Sequence, residues 1–170
     1  MPPATVRVTF DKTKQVIEGM RLVANTRVMA GIPAEKGLRS ADEREGAPLN
    51  NAELMYIHEF GAPEANIPAR PVIYPAVKSI RKEAVWMLGR IAVWAMEGKI
   101  GKAEQGFHAV GILAQNALRK RITDGPFIPL SPRTLAARRA RGRTGDKPLI
   151  DTGQLRRALT YVIRKFVGSR

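Results

Sequence analysis

The stretch Tyr56-Ile57-His58-Glu59-Phe60-Gly61, followed by Ile67-Pro68-Ala69-Arg70-Pro71, constrains the fold more than any other part of the chain. Leu54, Ile57 and Phe60, with Tyr56 beside them, space a short amphipathic helix over 51–60. Gly61 and Pro63 stop it. Pro68 and Pro71 bracket Ala69-Arg70, and a residue ahead of proline is driven out of the helical region, so Arg70 is predicted extended. Pro71 suits the first turn of a following helix, where a missing N–H costs nothing. The chain must therefore turn sharply and launch a second helix. Ile73, Val77, Ile80, Ala84, Leu88, Ile91 and Ala95, three or four apart, predict one face of that helix running to about Gly98, roughly 40 Å at ~1.5 Å per residue. Pro75 falls in its first turn, which tolerates proline.

On either side the pattern alternates between strand and helix. Thr5-Val6-Arg7-Val8-Thr9-Phe10 has the period of a half-buried strand. Asp11 offers an N-cap to a helix carrying Val16, Ile17, Met20 and Val23 and ending near Asn25. Residues 26–32 return to strand and stop at Pro33. Residues 34–50 are charged, rich in Gly and Ala and aperiodic, which predicts an exposed, mobile loop. After a break at Gly98-Lys99-Ile100-Gly101, Phe107, Val110, Leu113, Ala114, Ala117 and Leu118 predict a helix antiparallel to the first, ending near Asp124-Gly125. Pro126, Pro129 and Pro132 punctuate a basic extended arm over 126–147, within which Ser131 caps a short helix to about Ala140. Asp151 is placed to cap another short helix through Leu155 and Ala158. Residues 159–166, β-branched and aromatic, read as a closing strand. The expectation is a single α+β domain over 1–170, with a small, mostly antiparallel sheet packed against a long helix and a second helix, and with long exposed loops. Trp86 and Trp94 lie off the main stripe and fit either the domain's own core or a subunit contact.

Composition narrows the function classes. The chain has no cysteine and two histidines, which removes disulfide frameworks, thiol nucleophiles and Cys-rich zinc sites. No apolar run reaches the ~20 residues of a membrane helix, and the N-terminus lacks the regions of a signal peptide, so no membrane partner and a cytoplasmic site of synthesis are expected. The formal charge is +14, and residues 119–170 hold 14 Lys or Arg against 3 Asp. Such a basic half attracts nucleic acid, an anionic membrane surface or acidic protein neighbours, and its sign alone does not choose among them. Arg133, Arg138, Arg139, Arg141 and Arg143 are the candidate contacts to a partner or to DNA. They lack interleaved aromatic residues for base stacking, so any DNA contact would ignore sequence.

Catalytic constellations are missing from the pattern. His58-Glu59 opens like the helical zinc-protease motif, but that motif needs a second histidine four residues after the first, and position 62 is Ala. His108 has no paired ligand signature. No glycine-rich loop has the lysine of a phosphate-binding loop, and Asp42, Glu43 and Glu45 sit among Arg39 and Arg44 as a solvated charge run. No catalytic residue, metal or cofactor is assigned.

Taken in order, Val28-Met29-Ala30-Gly31-Ile32-Pro33, the 51–61 segment, Ile67-Pro68-Ala69-Arg70-Pro71, Pro129-Leu130-Ser131-Pro132-Arg133-Thr134 and Pro148-Leu149-Ile150-Asp151-Thr152-Gly153-Gln154-Leu155 form a set. In that set the chain resembles the tail-completion and head-tail joining (neck) proteins of long-tailed bacteriophages, including the minor tail protein Z and virion morphogenesis type. The resemblance spans residues 26 to about 163. It implies a small α+β structural virion protein of the tail or neck, present in the host cytoplasm during assembly. It implies a homo-oligomeric ring, commonly a hexamer, between the tail tube and the head connector or adaptor proteins, without enzyme activity or cofactor. Non-specific contact with the phage DNA end would suit the basic half, and the alternative is a basic, sequence-independent nucleic-acid-binding protein. The Gly98–Gly101 break and the basic half match no motif of that family. His58, Glu59, Phe60, Gly61, Pro68, Arg70 and Pro71 are assigned to a structural turn in which Arg70 makes charge-assisted hydrogen bonds that orient the long helix.

Overall fold

The computed structural model describes residues 10–36 and 49–166. Along the chain run α1 (Thr13–Asn25), β1 (Thr26–Gly31), α2 (Asn51–Phe60), α3 (Ile73–Met96), α4 (Ile100–Asp124), α5 (Pro132–Ala140), α6 (Gln154–Ala158) and β2 (Thr160–Lys165), with 3₁₀ turns at Ala34–Lys36 and Pro63–Ala65. The architecture is α+β: among the described residues β1 and β2 form a two-stranded antiparallel sheet that packs on α4, and α4 packs against α3. The strand expected over residues 5–10 falls, apart from Phe10, outside the described residues, as does most of the loop expected over 34–50.

The α3–α4 pair is closed by a turn at Glu97-Gly98-Lys99. Gly98 there adopts φ 76°, a left-handed conformation that glycine takes without steric cost, while its N–H bonds the Ala95 carbonyl at 3.0 Å and the Lys99 N–H bonds that of Trp94 at 2.8 Å. The helix break is therefore three residues long, and Gly101 already belongs to α4.

Among the described residues two apolar clusters make the core. Ile91, Ala95, Ala103, Phe107 and Val110 gather where α1 crosses the end of α3, with Leu22, Val23, Val28, Trp94 and Ile163 against them. Gly19 makes that crossing possible: a Cβ there would collide with the backbone carbonyl of Ala95. Met55, Val72, Ala76, Leu118, Ile122, Leu149, Leu155 and Leu159 form the second cluster, which joins α2 and the starts of α3 and β2 to the end of α4. The strands meet in the register Val28↔Ile163 and Ala30↔Tyr161. Tyr161 lies over Gly111 of α4 and its hydroxyl is 3.1 Å from His108 Nδ1, and Lys165 reaches Glu104 at 2.5 Å.

The periodic face expected for α3 is covered over only part of its length. Ile91 and Ala95 are buried, whereas Val77 and Leu88 are exposed and Ala76 takes a buried place nearer the start. α1 covers the C-terminal end of that face, and nothing among the described residues covers it comparably further back. Trp94 joins the core as one of the two expected roles required; Trp86 is 66% exposed. Arg90 sits over both indole rings, at 5.7 and 5.3 Å from their centroids, an arrangement in which the ring face attracts the cation.

Candidate functional site

The turn between α2 and α3 is a clasp built from backbone and two charged side chains. α2 begins with a capping box: Asn50 Oδ1 accepts from the Ala52 and Glu53 N–H groups at 2.9 Å, and Glu53 accepts from the Asn50 N–H at 2.8 Å. It ends at Gly61, φ 78°, whose N–H bonds the Ile57 carbonyl at 2.7 Å. A side chain at Gly61 would also press on the Ala69 nitrogen and the Ile67 oxygen, at 2.9 and 3.0 Å. The loop closes through an Ala62–Ile67 bridge, and the chain returns so that the Arg70 N–H donates to the His58 carbonyl at 2.6 Å.

Glu59 then does what the sequence assigned to Arg70. Its carboxylate accepts from the backbone N–H groups of Val72, Ile73 and Tyr74 at 2.6, 2.8 and 3.1 Å. These are orphan donors at the start of α3, where the helix dipole also favours negative charge. α3 has no side-chain cap from its own N-cap residue, Val72. The last turn of α2 thus caps the first turn of α3 and sets its direction, and Pro71 lies just ahead of α3 rather than within its first turn.

Arg70 is 7% exposed and reaches the other way. Nε donates to the Ile128 carbonyl at 3.0 Å and Nη2 to that of Pro129 at 3.3 Å. Burial pulls its pKa below the ordinary arginine value. Arg70 therefore ties the connection after α4 to the clasp and does not orient α3. Arg121 adds a bond from Nε to the Pro71 carbonyl at 3.3 Å.

The two late motifs close on the same place. Pro68 and His58, the stretch from Ile128 to Ser131, and the segment from Asp151 to Leu155 line one cleft of about 620 Å³ with Arg70 in its wall. Ser131 caps α5 by accepting from the Thr134 N–H at 3.2 Å. Arg138 is the hub of the following loop: Nη1 donates to the carbonyls of Gly145, Lys147 and Ile150, each at 3.0 Å. Asp151 does not cap α6, whose N-cap is Gly153. It faces Arg138 at 3.5 Å and Arg143 at 2.5 Å instead, because the arginine-rich loop folds back over it. The arm over 126–147 is thus extended up to Leu130, helical in α5 and folded back beyond it. Of the five arginines singled out, Arg138 and Arg143 are used internally, and Arg133, Arg139 and Arg141 lie on exposed positions.

The opposite side of α2 shows a feature that the sequence did not single out. Tyr56 and Phe60 pack as a tilted pair, ring centroids 4.7 Å apart and planes at 51°. With Ile73, Tyr74 and Val77 of α3, and Ile32 after β1, they line a shallow apolar groove of about 560 Å³. The available signal was the spacing of Tyr56 and Phe60, one helical turn apart and out of phase with Met55 and the other inward residues of α2. Among the described residues no group of three or more His, Asp or Glu could hold a metal ion, and no helix is long and apolar enough to cross a membrane.

No family profile and no solved structure matches the chain. A short stretch is similar to an uncharacterized protein of Methanocaldococcus jannaschii, 50% identical over 35 residues, which is 21% of this chain and 26% of that protein.

Proposed function

We propose that the protein is a structural subunit of a tailed-bacteriophage virion that forms a homo-oligomeric ring, of hexameric type, at the head-tail junction between the tail tube and the head connector or adaptor. The observation that carries the reading is the convergence at the clasp. Ile-Pro-Ala-Arg-Pro, the Ser-Pro motif and the Asp-Thr-Gly-Gln-Leu motif, far apart in sequence, meet α2 around one cleft. Their shared order is thereby accounted for as one structural unit that holds the long α3–α4 pair and leaves the remaining faces for neighbours. A large exposed aromatic edge on α2 and α3 suits a protein that works through contacts.

The mass of the purified protein by light scattering, with negative-stain images, tests this. Closed rings are expected; a monomer at every accessible concentration, without association with tails or heads, would sink the proposal. In a phage lacking the protein, accumulation of free heads beside complete tails would place it on the connector side, and tails of irregular length would place it as a tail terminator.

The exposed Arg133, Arg139 and Arg141 favour one second reading, sequence-independent contact with DNA. Titrating salt against binding to a random duplex decides it. A steep loss of affinity with salt supports contact through phosphates, and no binding even at low salt removes it.

A further inference from the structure

We propose that the aromatic edge of α2 and α3 on one copy receives the outward face of helix α5 from the next copy, a head-to-tail contact that rests on the ring reading above. Tyr56, Phe60 and Tyr74 are 66%, 65% and 69% exposed. At ~150–250 Å² per aromatic side chain they leave roughly 300–500 Å² in water. That is close to the largest apolar patch a monomer ordinarily shows, ~300–600 Å², and about half of the ~800 Å² that one partner gives to a stable interface. The edge is therefore large enough to form the centre of a contact between folded subunits.

Helix α5 supplies the matching face. It has nine residues, none of them buried, and a helix that short gains little stability without packing. Leu135 and Arg138 turn inward, half-buried, while Arg133, Ala136, Ala137 and Ala140 lie together on the exposed side at three- and four-residue spacing. Three alanines make a flat surface on which aromatic rings can lie, and an arginine beside them can stack on a tyrosine or phenylalanine face.

Charge points to the same partner. Residues 49–69 hold Glu53, Glu59 and Glu64 and no Lys or Arg, in a chain whose net charge is +14. Residues 132–143 hold five arginines and no acid. The α2 side of the edge thus lies in an acidic part of the chain, its α3 side carries Lys78 with Nζ 6.0 Å from the Tyr74 ring, and α5 lies in one of the most basic parts, so the α5 of a second copy offers the α2 side what a repeated copy of the same face would not. Two different patches of one chain meeting in this way generate rings or filaments rather than two-fold dimers.

The test uses two variants of the full chain and their mixture, with mass read by light scattering and folding checked by circular dichroism. Tyr56→Arg with Tyr74→Arg alters the edge; Arg133→Glu with Ala137→Glu alters α5. All four positions are exposed, so both variants are expected to stay folded. Each alone should lose the oligomer and run as a monomer. Mixed, they should form a one-to-one heterodimer and stop, because one intact edge and one intact α5 remain between them. If the wild type is an oligomer and the edge variant keeps its full size, the assignment of this surface is overturned while the ring reading survives. If the α5 variant assembles normally while the edge variant does not, the edge meets something other than α5 and the proposal fails. A wild-type chain that is monomeric throughout overturns both readings.

Discussion

Glu59→Ala removes a carboxylate that accepts three backbone N–H groups at the start of α3. The three donors do not suffer equally. Val72 is fully buried, so its N–H would be left without a partner and out of reach of water, at a cost of about 1–3 kcal/mol. Ile73 and Tyr74 are exposed, and their N–H groups regain water, which limits their share to the ordinary loss of a helix cap, about 1 kcal/mol. Removing the negative charge from the helix start adds ~0.3–1 kcal/mol. The sum is about 3 kcal/mol. Urea unfolding, at two protein concentrations to separate folding from assembly, should show a midpoint lower by about 1.5 M for a slope of ~2 kcal/mol per molar. Glu59→Gln keeps an acceptor oxygen but loses the charge, so it should fall between, losing about 1 kcal/mol. Hydrogen exchange at the Val72, Ile73 and Tyr74 amides should quicken in step. A Glu59→Ala midpoint within ~0.2 M of wild type, with those amides still protected, would refute the claim that Glu59 caps α3.

Other substitutions separate the remaining contacts. Arg70→Ala should cost about 2–4 kcal/mol, from two charge-assisted bonds and a buried side-chain stem, and should open the 126–131 connection to proteolysis; unchanged cleavage there would show that Arg70 does not hold it. Gly19→Ala and Gly89→Ala should move stability in opposite directions. Helix propensity favours alanine by ~1 kcal/mol at each, and a Cβ on Gly89 meets nothing within 4 Å, but one on Gly19 strikes the Ala95 carbonyl, so Gly19→Ala should lose about 2 kcal/mol net. Lys165 holds the Glu104 carboxyl below its ordinary value of 4.5. A depressed folded-state pKa gives stability that is present above the ordinary value and fades as pH falls through the folded one. Glu104→Gln should therefore flatten the acid-side slope of a stability-versus-pH curve below about pH 4.5, and an unaltered slope would remove this pair as a contributor.

Much of the fold was legible from residues within a few positions of one another. Helix α2 begins and ends where the local pattern put it, since both its cap at Asn50 and its stop at Gly61 act within one turn. The closing strand over 159–166 lies within one residue of β2 at each end. The long helix starts two residues after Pro71, where the orphan N–H groups are met by the Glu59 carboxylate. The candidate site was legible only in parts. His58, Gly61, Pro68 and Arg70 were recognised as a turn, but nothing in the spacing says that Arg70 bonds carbonyls 58 and 59 residues away.

What the sequence determined by itself, among the described residues, is the run of elements from α1 to β2 and the sharp turn that joins α2 to α3, since helical period, capping and the restrictions of proline and glycine act over one or two turns of chain. Tertiary structure alone decided three things. It gave the orientation of α3 to Glu59 rather than Arg70, because a carboxylate can serve any helix start that packing brings within 3 Å. It drew Arg138 and Arg143 onto carbonyls and an aspartate of a returning loop. And it left Tyr56, Phe60 and Tyr74 in water, for burial depends on which neighbour covers a face, and periodicity shows only that a face exists.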